Sequence, residues 1–236
     1  MPNQYLISGS EMLAARPGFK VVGREDALER LTSILIRSNA NSVLLFGPGG
    51  VGCSSLVLGL QALKAAPDAP FDVVRKRFFW VDTDCLFSLQ DDEQIGAEFA
   101  KILGLMKRTP DAVLIISDAK VFIESARSTG NTHFINALIL AIKQNQTQVI
   151  LEGRDDDLEL VFRCHPHVQE AFTMMELAEP DVDALRAIVK YGAERLTGDH
   201  GIRIDLDAVD AAIELTTNYR ADGNGMNRAQ PERSVT

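Results

Sequence analysis

The sequence has few cysteines, and it lacks a long apolar run. Its 236 residues include only Cys53, Cys85 and Cys164, which are too few and too scattered for a disulfide framework or a zinc site. No stretch approaches the roughly 20 apolar residues that a membrane-spanning helix needs. The first residues also lack the basic start and apolar core of a secretory signal. We therefore expect a cytoplasmic protein with reduced thiols and no membrane span.

Positive charge is also scarce. The chain has 24 Lys+Arg and 33 Asp+Glu, which gives a formal net charge of −9. Surfaces that bind nucleic acid cluster positive charge, so this balance argues against a nucleic-acid partner. With 46% hydrophobic residues, a chain of this length can bury a sizeable core. The length fits one large domain, or a large domain with a small companion.

Short apolar runs alternate with helical patterns, which is typical of a wound α/β domain with a parallel sheet. After Glu179 the pattern changes to two amphipathic helices, over residues 181–196 and 206–215. The predicted strands are residues 43–46, 78–82, 112–116 and 148–151. The predicted helices are 26–37 before the first strand, and 54–64, 95–106 and 134–143 between the strands. The predicted organisation is a lead-in (1–20), a large α/β domain (21–178), a partial helical lid (179–220) and a disordered tail (221–236).

A glycine-rich loop, G-P-G-G-V-G-C-S-S over residues 47–55, joins the first predicted strand to a helix. Such loops bind phosphate because their backbone N–H groups converge on the anion and the helix dipole favours it. The expected pattern is G-x-x-x-x-G-K-[ST]. Gly47 and Gly52 occupy its glycine positions and Ser54 its magnesium-hydroxyl position, but Cys53 stands where lysine is expected.

These motifs resemble the AAA+ modules of Clp-type disaggregases and unfoldases. V-V-G-R-E at 21–25, the loop at 47–54, a Walker B strand at 112–118 and a strand entering the lid at 172–181 carry the resemblance, which spans about residues 10–222. It implies an α/β AAA+ P-loop fold: a three-layer α/β/α parallel sheet with a small partial helical lid. The residues that the resemblance places at the nucleotide are Val21, Val22, Gly50, Val51, Gly52, Cys53, Ser54, Ser55, Asp118 and Ile188.

Within this resemblance, several catalytic positions are substituted. If magnesium-nucleotide binds, Ser54 and Asp118 would hold the metal, but Ala119 replaces the glutamate that activates water. An arginine finger is worth about 10³–10⁵ in turnover, and a general base about 10²–10⁴. Glu170-Ala171 stands at the arginine-finger pair, and Gly153-Arg154 at the polar sensor. Asp91-Asp92-Glu93 stands at the aromatic pore loop and is predicted to be a solvated loop here. Arg228 is a poor match to the arginine of the lid sensor.

The sequence therefore predicts a catalytically degenerate AAA+-like protein, a pseudo-ATPase acting as a structural or regulatory subunit. No cofactor is required, while weak binding of ATP or ADP with Mg stays open. Its expected partners are proteins: an active AAA+ or secretion-type ATPase, or further copies of itself. The alternative is a weak ATP-binding or slow ATP-hydrolysing Clp-type protein with a displaced base such as Glu124 or Asp84. A third hypothesis is a nucleotide sensor that moves its lid without hydrolysis.

Three smaller features favour ordinary structural interpretations. Cys164, His165 and His167 lack a convincing fourth metal ligand, so we expect surface histidines. The D-D-D run at 155–157 suits the acidic start of a helix. Cys53 lies at a helix N-terminus, where thiols can be reactive, but we favour a small neutral replacement.

Overall fold

Within the described residues, six strands form one sheet. The computed structural model describes residues 3–67, 69–89, 91–128 and 133–218. The strands are β1 (Leu6–Ser8), β2 (Val43–Gly47), β3 (Arg77–Val81), β4 (Ala112–Ile116), β5 (Gln148–Arg154) and β6 (Thr173–Glu176). Their spatial order is β1-β3-β4-β5-β2-β6, parallel throughout except for β1, which pairs antiparallel with β3. The carboxyl ends of the neighbouring strands β4, β5 and β2 therefore meet at one edge.

Helices cover both faces of the sheet. The described helices are α1 (Gly9–Ala14), α2 (Glu25–Leu35), α3 (Cys53–Leu63), α4 (Phe71–Arg75), α5 (Thr83–Phe87), α6 (Asp92–Arg108), α7 (Ala119–Ser128), α8 (His133–Lys143), α9 (Asp155–Cys164), α10 (His167–Ala171), α11 (Val182–His200) and α12 (Leu206–Asn218). No helix in the described ranges combines the length and apolarity that crossing a membrane requires.

Alternate side chains of the strands pack into two separate hydrophobic cores, because successive side chains of a strand point to opposite faces of the sheet. Val43 and Leu45 pack with α2 and α3 on one face. Leu44 packs on the other face with α5 to α10, where the rings of Phe99, Phe122 and Phe134 contact one another in tilted and edge-to-face pairs. The result is the predicted three-layer α/β/α arrangement.

The last two helices have a small core of their own, formed by Leu185, Val209 and Ile213. The hydroxyl of Tyr191 in α11 donates to the Gly18 carbonyl at 2.8 Å and accepts from the Lys20 amide at 3.1 Å. The segment before α2 is thereby joined to α11. The division into lead-in, large domain and lid stays a prediction, and the tail at 221–236 lies outside the described residues.

The four predicted strands are confirmed, with ends that shift by up to three residues. Six of the described elements were missed: β1, α1, α4, α5, α7 and α10. The prediction of a purely parallel sheet is wrong at one edge, because the edge strand β1 runs antiparallel to β3. The solvated loop at 91–93 is also wrong: Asp91 is the N-cap of α6 and accepts a hydrogen bond from the Glu93 amide. Acidic side chains at this point stabilise the start of the helix.

Candidate functional site

The glycine-rich loop leaves β2 and turns tightly into α3. Gly50 and Gly52 have φ values of +82° and +106°, in the left-handed region that favours glycine. The Val51 amide donates to the Pro48 carbonyl at 3.0 Å, and the Val51 side chain is buried beneath the loop. The 11-residue helix α3 begins directly afterwards at Cys53. The backbone geometry of a phosphate-binding loop is therefore present.

A cavity of about 340 Å³ lies over this loop, at the edge where β2, β4 and β5 end. Seven of the ten predicted nucleotide contacts line it, namely residues 50–55 and Asp118. Val21, Val22 and Ile188 are not among its lining residues. Val21 instead packs on α3, where its Cγ2 would overlap a β-carbon added at Gly59. The lining also includes Glu152, which the sequence analysis did not single out.

Glu152 is a buried carboxylate at the floor of the cavity, 2% exposed and located near the end of β5. Its Oε2 accepts a hydrogen bond from the Ser54 hydroxyl at 2.5 Å. Its Oε1 is buried and has no hydrogen-bond partner within the described part of the chain. Burial raises the pKa of Glu152 to about 7; the hydrogen bond from Ser54 opposes this shift, and the negative charge of Asp118 adds to it.

Asp118, the predicted metal ligand, has a structural role at the start of α7. Its Oδ1 accepts a hydrogen bond from the Val121 amide at 2.9 Å, which caps the first turn of the helix. The next residue, Ala119, is fully buried in the core and faces Gly153. A glutamate side chain at position 119 would therefore enter the hydrophobic core.

The Cys53 thiol lines the cavity and is half-buried. Burial raises the pKa of this thiol to about 12, and the neighbouring carboxylates Glu152 and Asp155 add to the shift, while Arg24 opposes it. The helix N-terminus does not offset these effects, so the thiol is neutral at physiological pH. The position where phosphate loops carry a lysine therefore contributes no charge.

Two arginines lie near the loop. Arg24 donates to the Val51 carbonyl at 3.0 Å and to the Ala178 carbonyl at 2.7 Å, so it connects the loop to the chain that enters α11. Arg154 lies over the loop: a β-carbon built on Gly49 would be 3.8 Å from its Nε atom. Arg154 therefore places a cation at the cavity, from the position that the resemblance assigns to a polar sensor.

The other candidate groups lie elsewhere. Asp84 and Glu124, the possible displaced bases, are exposed and are not among the residues that line the cavity. Glu170 pairs with Lys143 at 2.9 Å. Residues 155–157 form the acidic first turn of α9, as predicted. In the described ranges, no three His, Cys, Asp or Glu side chains are grouped to hold a metal ion. The interpretation of Cys164, His165 and His167 stays a prediction. Arg228 lies outside the described residues.

Sequence comparison finds Clp-type chaperones. Chaperone protein ClpB of Bacteroides thetaiotaomicron is 25% identical over 236 residues, which cover 98% of this chain and 27% of ClpB. Chloroplastic ClpC1 of Oryza sativa is 27% identical over 216 residues, which cover 91% of this chain and 23% of ClpC1. No model of a known protein family matches the chain.

Solved structures of Hsp104 superpose on nearly the whole chain. A closed-state reconstruction of Hsp104 with ATPγS and FITC-casein has a TM-score of 0.85 at 21% identity, covering 96% of this chain and 39% of that one. The fold is that of a Clp-type AAA+ module. The S. cerevisiae Hsp104–ADP complex gives a TM-score of 0.81 at 22% identity, covering 96% and 32%. The chain spans about a quarter of the length of the curated relatives it matches.

Magnesium is the cation that this fold implies, and the side-chain oxygens at the loop could supply some of its ligands. Mg²⁺ prefers oxygen ligands and usually takes one or two carboxylates, several waters and the substrate's phosphates. The Ser54 hydroxyl and Glu152 Oε1, which has no partner among the described residues, supply such oxygens at the cavity floor. When bound with a nucleotide, the metal would neutralise phosphate charge, which no lysine does here.

Proposed function

We propose that this AAA+ module is a pseudo-ATPase that serves as a structural or regulatory subunit of a larger protein assembly. The observation that carries the proposal is the charge around the phosphate loop. The loop keeps its backbone geometry, but a neutral thiol at Cys53 replaces the lysine. A buried carboxylate, Glu152, lies beneath it. Clp-type relatives and the shared fold support the AAA+ part of the proposal.

The absence of a general base and of an arginine finger at the expected positions accounts for the expected loss of ATP hydrolysis. A positioned general base is worth about 10²–10⁴ in rate, and an arginine finger about 10³–10⁵. Ala119 is buried against the core, so no base projects from that position. Glu170 is an acid that pairs with Lys143, so that position presents no arginine. The losses need not multiply, but even the larger one alone brings turnover far below the usual ~1–100 s⁻¹.

The partners belong to the proposal as well. Hsp104 is described in complex with casein and with ADP, which are properties of Hsp104. For this chain we propose protein partners: further copies of itself, or an active AAA+ or secretion-type ATPase. The acidic balance of the chain argues against nucleic acid. The cytoplasmic location predicted from the sequence stays a prediction.

The alternative is a weak ATP-binding or slow ATP-hydrolysing Clp-type protein. The intact loop and the guanidinium of Arg154 over Gly49 favour weak binding. Backbone N–H groups at a helix N-terminus bind phosphate without a lysine, although losing one charge-assisted hydrogen bond costs about 1.5–3 kcal/mol. Binding and hydrolysis must therefore be measured separately.

Phosphate release from MgATP tests the proposal, measured on the wild type, Asp118→Ala and Cys53→Lys. We expect the wild type to release phosphate no faster than Asp118→Ala. Turnover of about 1 s⁻¹ that disappears in Asp118→Ala would show a working ATPase instead. Calorimetry gives the affinities: Cys53→Lys should bind ATP about tenfold tighter or more, whereas the uncharged control Cys53→Ala should not. Equal affinities of wild type and Cys53→Lys would favour the alternative.

A further inference from the structure

Glu152 is the buried titratable group at the cavity that the AAA+ resemblance does not explain. It lies on β5, where it is opposite Leu45 of β2, two residues before the phosphate loop begins. On the other side of β5, Leu151 is opposite Ile116 of β4, just before Ser117 and Asp118. The register of three neighbouring strands therefore places the Glu152 carboxylate below the start of α3.

We propose that Glu152, rather than Asp118, is the carboxylate that holds a divalent cation together with Ser54, so that this loop takes a phosphate ligand only as its metal complex. The inference rests on the proposed function in one respect: the loop is treated as a binding site that does not hydrolyse its ligand. It assigns the metal-binding role to a residue on a different strand from the one that the resemblance indicated.

The first support is the pairing at the cavity floor. Ser54 Oγ donates to Glu152 Oε2, which brings a hydroxyl and a carboxylate together at the N-terminus of α3. The second oxygen, Glu152 Oε1, is buried without a hydrogen-bond partner in the described residues. An unpaired buried carboxylate oxygen is costly, and a bound cation would compensate it.

The second support is the position of Asp118. Its carboxylate accepts the Val121 amide hydrogen bond that starts α7, while Ser54 bonds to Glu152. Asp118 still lines the cavity, so its negative charge adds to the field that attracts a cation. Its side chain is engaged with its own helix, whereas Glu152 Oε1 has no hydrogen-bond partner in the part of the chain that the structure describes.

The third support is the charge balance. Without lysine, Arg154 is the cationic side chain among the residues that line the cavity, and Asp118 and Glu152 are acidic. When Glu152 is ionised, a free polyphosphate meets net negative charge there and is repelled. The protein offers too few oxygens to bind Mg²⁺ tightly alone, but a metal–phosphate complex brings further ligands. The ligand class that fits is therefore a di- or triphosphate with its divalent cation.

The test compares ATP binding by calorimetry in Mg²⁺ and in EDTA for the wild type, Glu152→Gln, Asp118→Asn and Glu159→Gln. Glu159 is an exposed α9 residue paired with Arg163, so Glu159→Gln is the matched control. Asn in place of Asp118 can still cap α7. We expect the wild type to bind ATP at least tenfold tighter with Mg²⁺ than in EDTA. Glu152→Gln should lose that dependence, and its loss should be at least tenfold larger than that of Asp118→Asn.

Electron paramagnetic resonance with Mn²⁺ provides a readout that does not depend on heat or activity. Bound Mn²⁺ in the presence of ATP should decrease in Glu152→Gln and remain in Glu159→Gln. A parallel titration with pyrophosphate shows whether the site needs the nucleoside or only the phosphates. If Glu152→Gln fails to fold, the wild-type comparison between Mg²⁺ and EDTA still decides whether binding depends on the metal.

Three results would overturn the inference: ATP affinity equal in Mg²⁺ and EDTA, a metal dependence lost in Asp118→Asn but kept in Glu152→Gln, or no binding of ATP or pyrophosphate with Mg²⁺. None of these outcomes involves hydrolysis. The proposed function fails separately, through phosphate release by the wild type.

Discussion

The hydroxyl of Ser54 donates a hydrogen bond to the carboxylate of Glu152, which joins the first turn of α3 to the end of β5. The two residues are 98 positions apart in the chain, and the sheet brings them together at the loop. This pairing engages the Ser54 hydroxyl within the protein and places a carboxyl group beneath a phosphate loop that has no lysine.

The stability of Glu152→Gln relative to the wild type should increase as pH rises. The ordinary glutamate pKa is 4.5, and burial raises the pKa of Glu152 to about 7 in the folded state. Between these values the folded state binds a proton that the unfolded state releases, so wild-type stability falls as pH rises through this window. The free energy of unfolding of Glu152→Gln relative to wild type should increase by up to about 3 kcal/mol from pH 4.5 to 7.5.

Urea denaturation across this pH range measures the difference, and the exposed Glu159→Gln serves as the control. A Glu152→Gln advantage that stays constant with pH, or shrinks as pH rises, would contradict the raised pKa.

Cys53 should react slowly with alkylating reagents. The pKa of its thiol is raised from an ordinary 9.0 to about 12, so the thiolate is about 10³-fold scarcer than in an unperturbed cysteine. Mass spectrometry after iodoacetamide treatment at pH 8 should show modification of Cys53 at least tenfold slower in the native protein than in urea. Glu152→Gln should speed the native reaction, because it removes a negative charge next to the thiol. Native modification as fast as in urea would show that the thiol is activated.

Ala119→Glu should unfold or strongly destabilise the protein instead of restoring a catalytic base. Ala119 is 0% exposed, and a buried charge without a partner costs several kcal/mol. Val121, two residues further along α7, is 42% exposed, so Val121→Glu should change stability by only about 0.5 kcal/mol. The free energy of unfolding of both variants in urea decides this. Equal stability of Ala119→Glu and the wild type would mean that the base position is accessible.

Gly59→Ala should destabilise the protein because a β-carbon there would overlap Val21. Overpacking of this kind costs about 1–3 kcal/mol. At Gly192 in α11, a β-carbon meets no atom of the described residues within 4 Å, so Gly192→Ala should gain about 0.5–1 kcal/mol from helix propensity. Adding Val21→Ala to Gly59→Ala should recover part of the loss. Thermal denaturation tests all three variants, and a stabilising Gly59→Ala would rule out this contact.

Most of the sheet could be predicted from the sequence because its strands are nearly continuous apolar runs, as in Ala112–Ile116. β1 was missed because its three residues give too short a pattern, and its pairing with β3 depends on tertiary contacts. The start of α6 could have been found, because Asp91 and the acidic residues after it are good helix N-terminal residues.

The candidate site was only partly predictable. The loop was recognisable because its glycines and its place after a strand are local features. Glu152 was missed because the fourth predicted strand ended at Leu151, although a carboxylate directly after an apolar strand is a signal worth following. Its contact with Ser54 depends on the pairing of β2 with β5, which the spacing of residues within a single segment does not reveal.

A crystal structure of the protein soaked with ATP and Mg²⁺ tests the central claim most directly, since it shows both the state of the phosphates and the metal ligands. The account predicts an intact triphosphate at the loop, with the cation at Ser54 and Glu152. ADP in the site, with the cation held by Ser54 and Asp118, would contradict it.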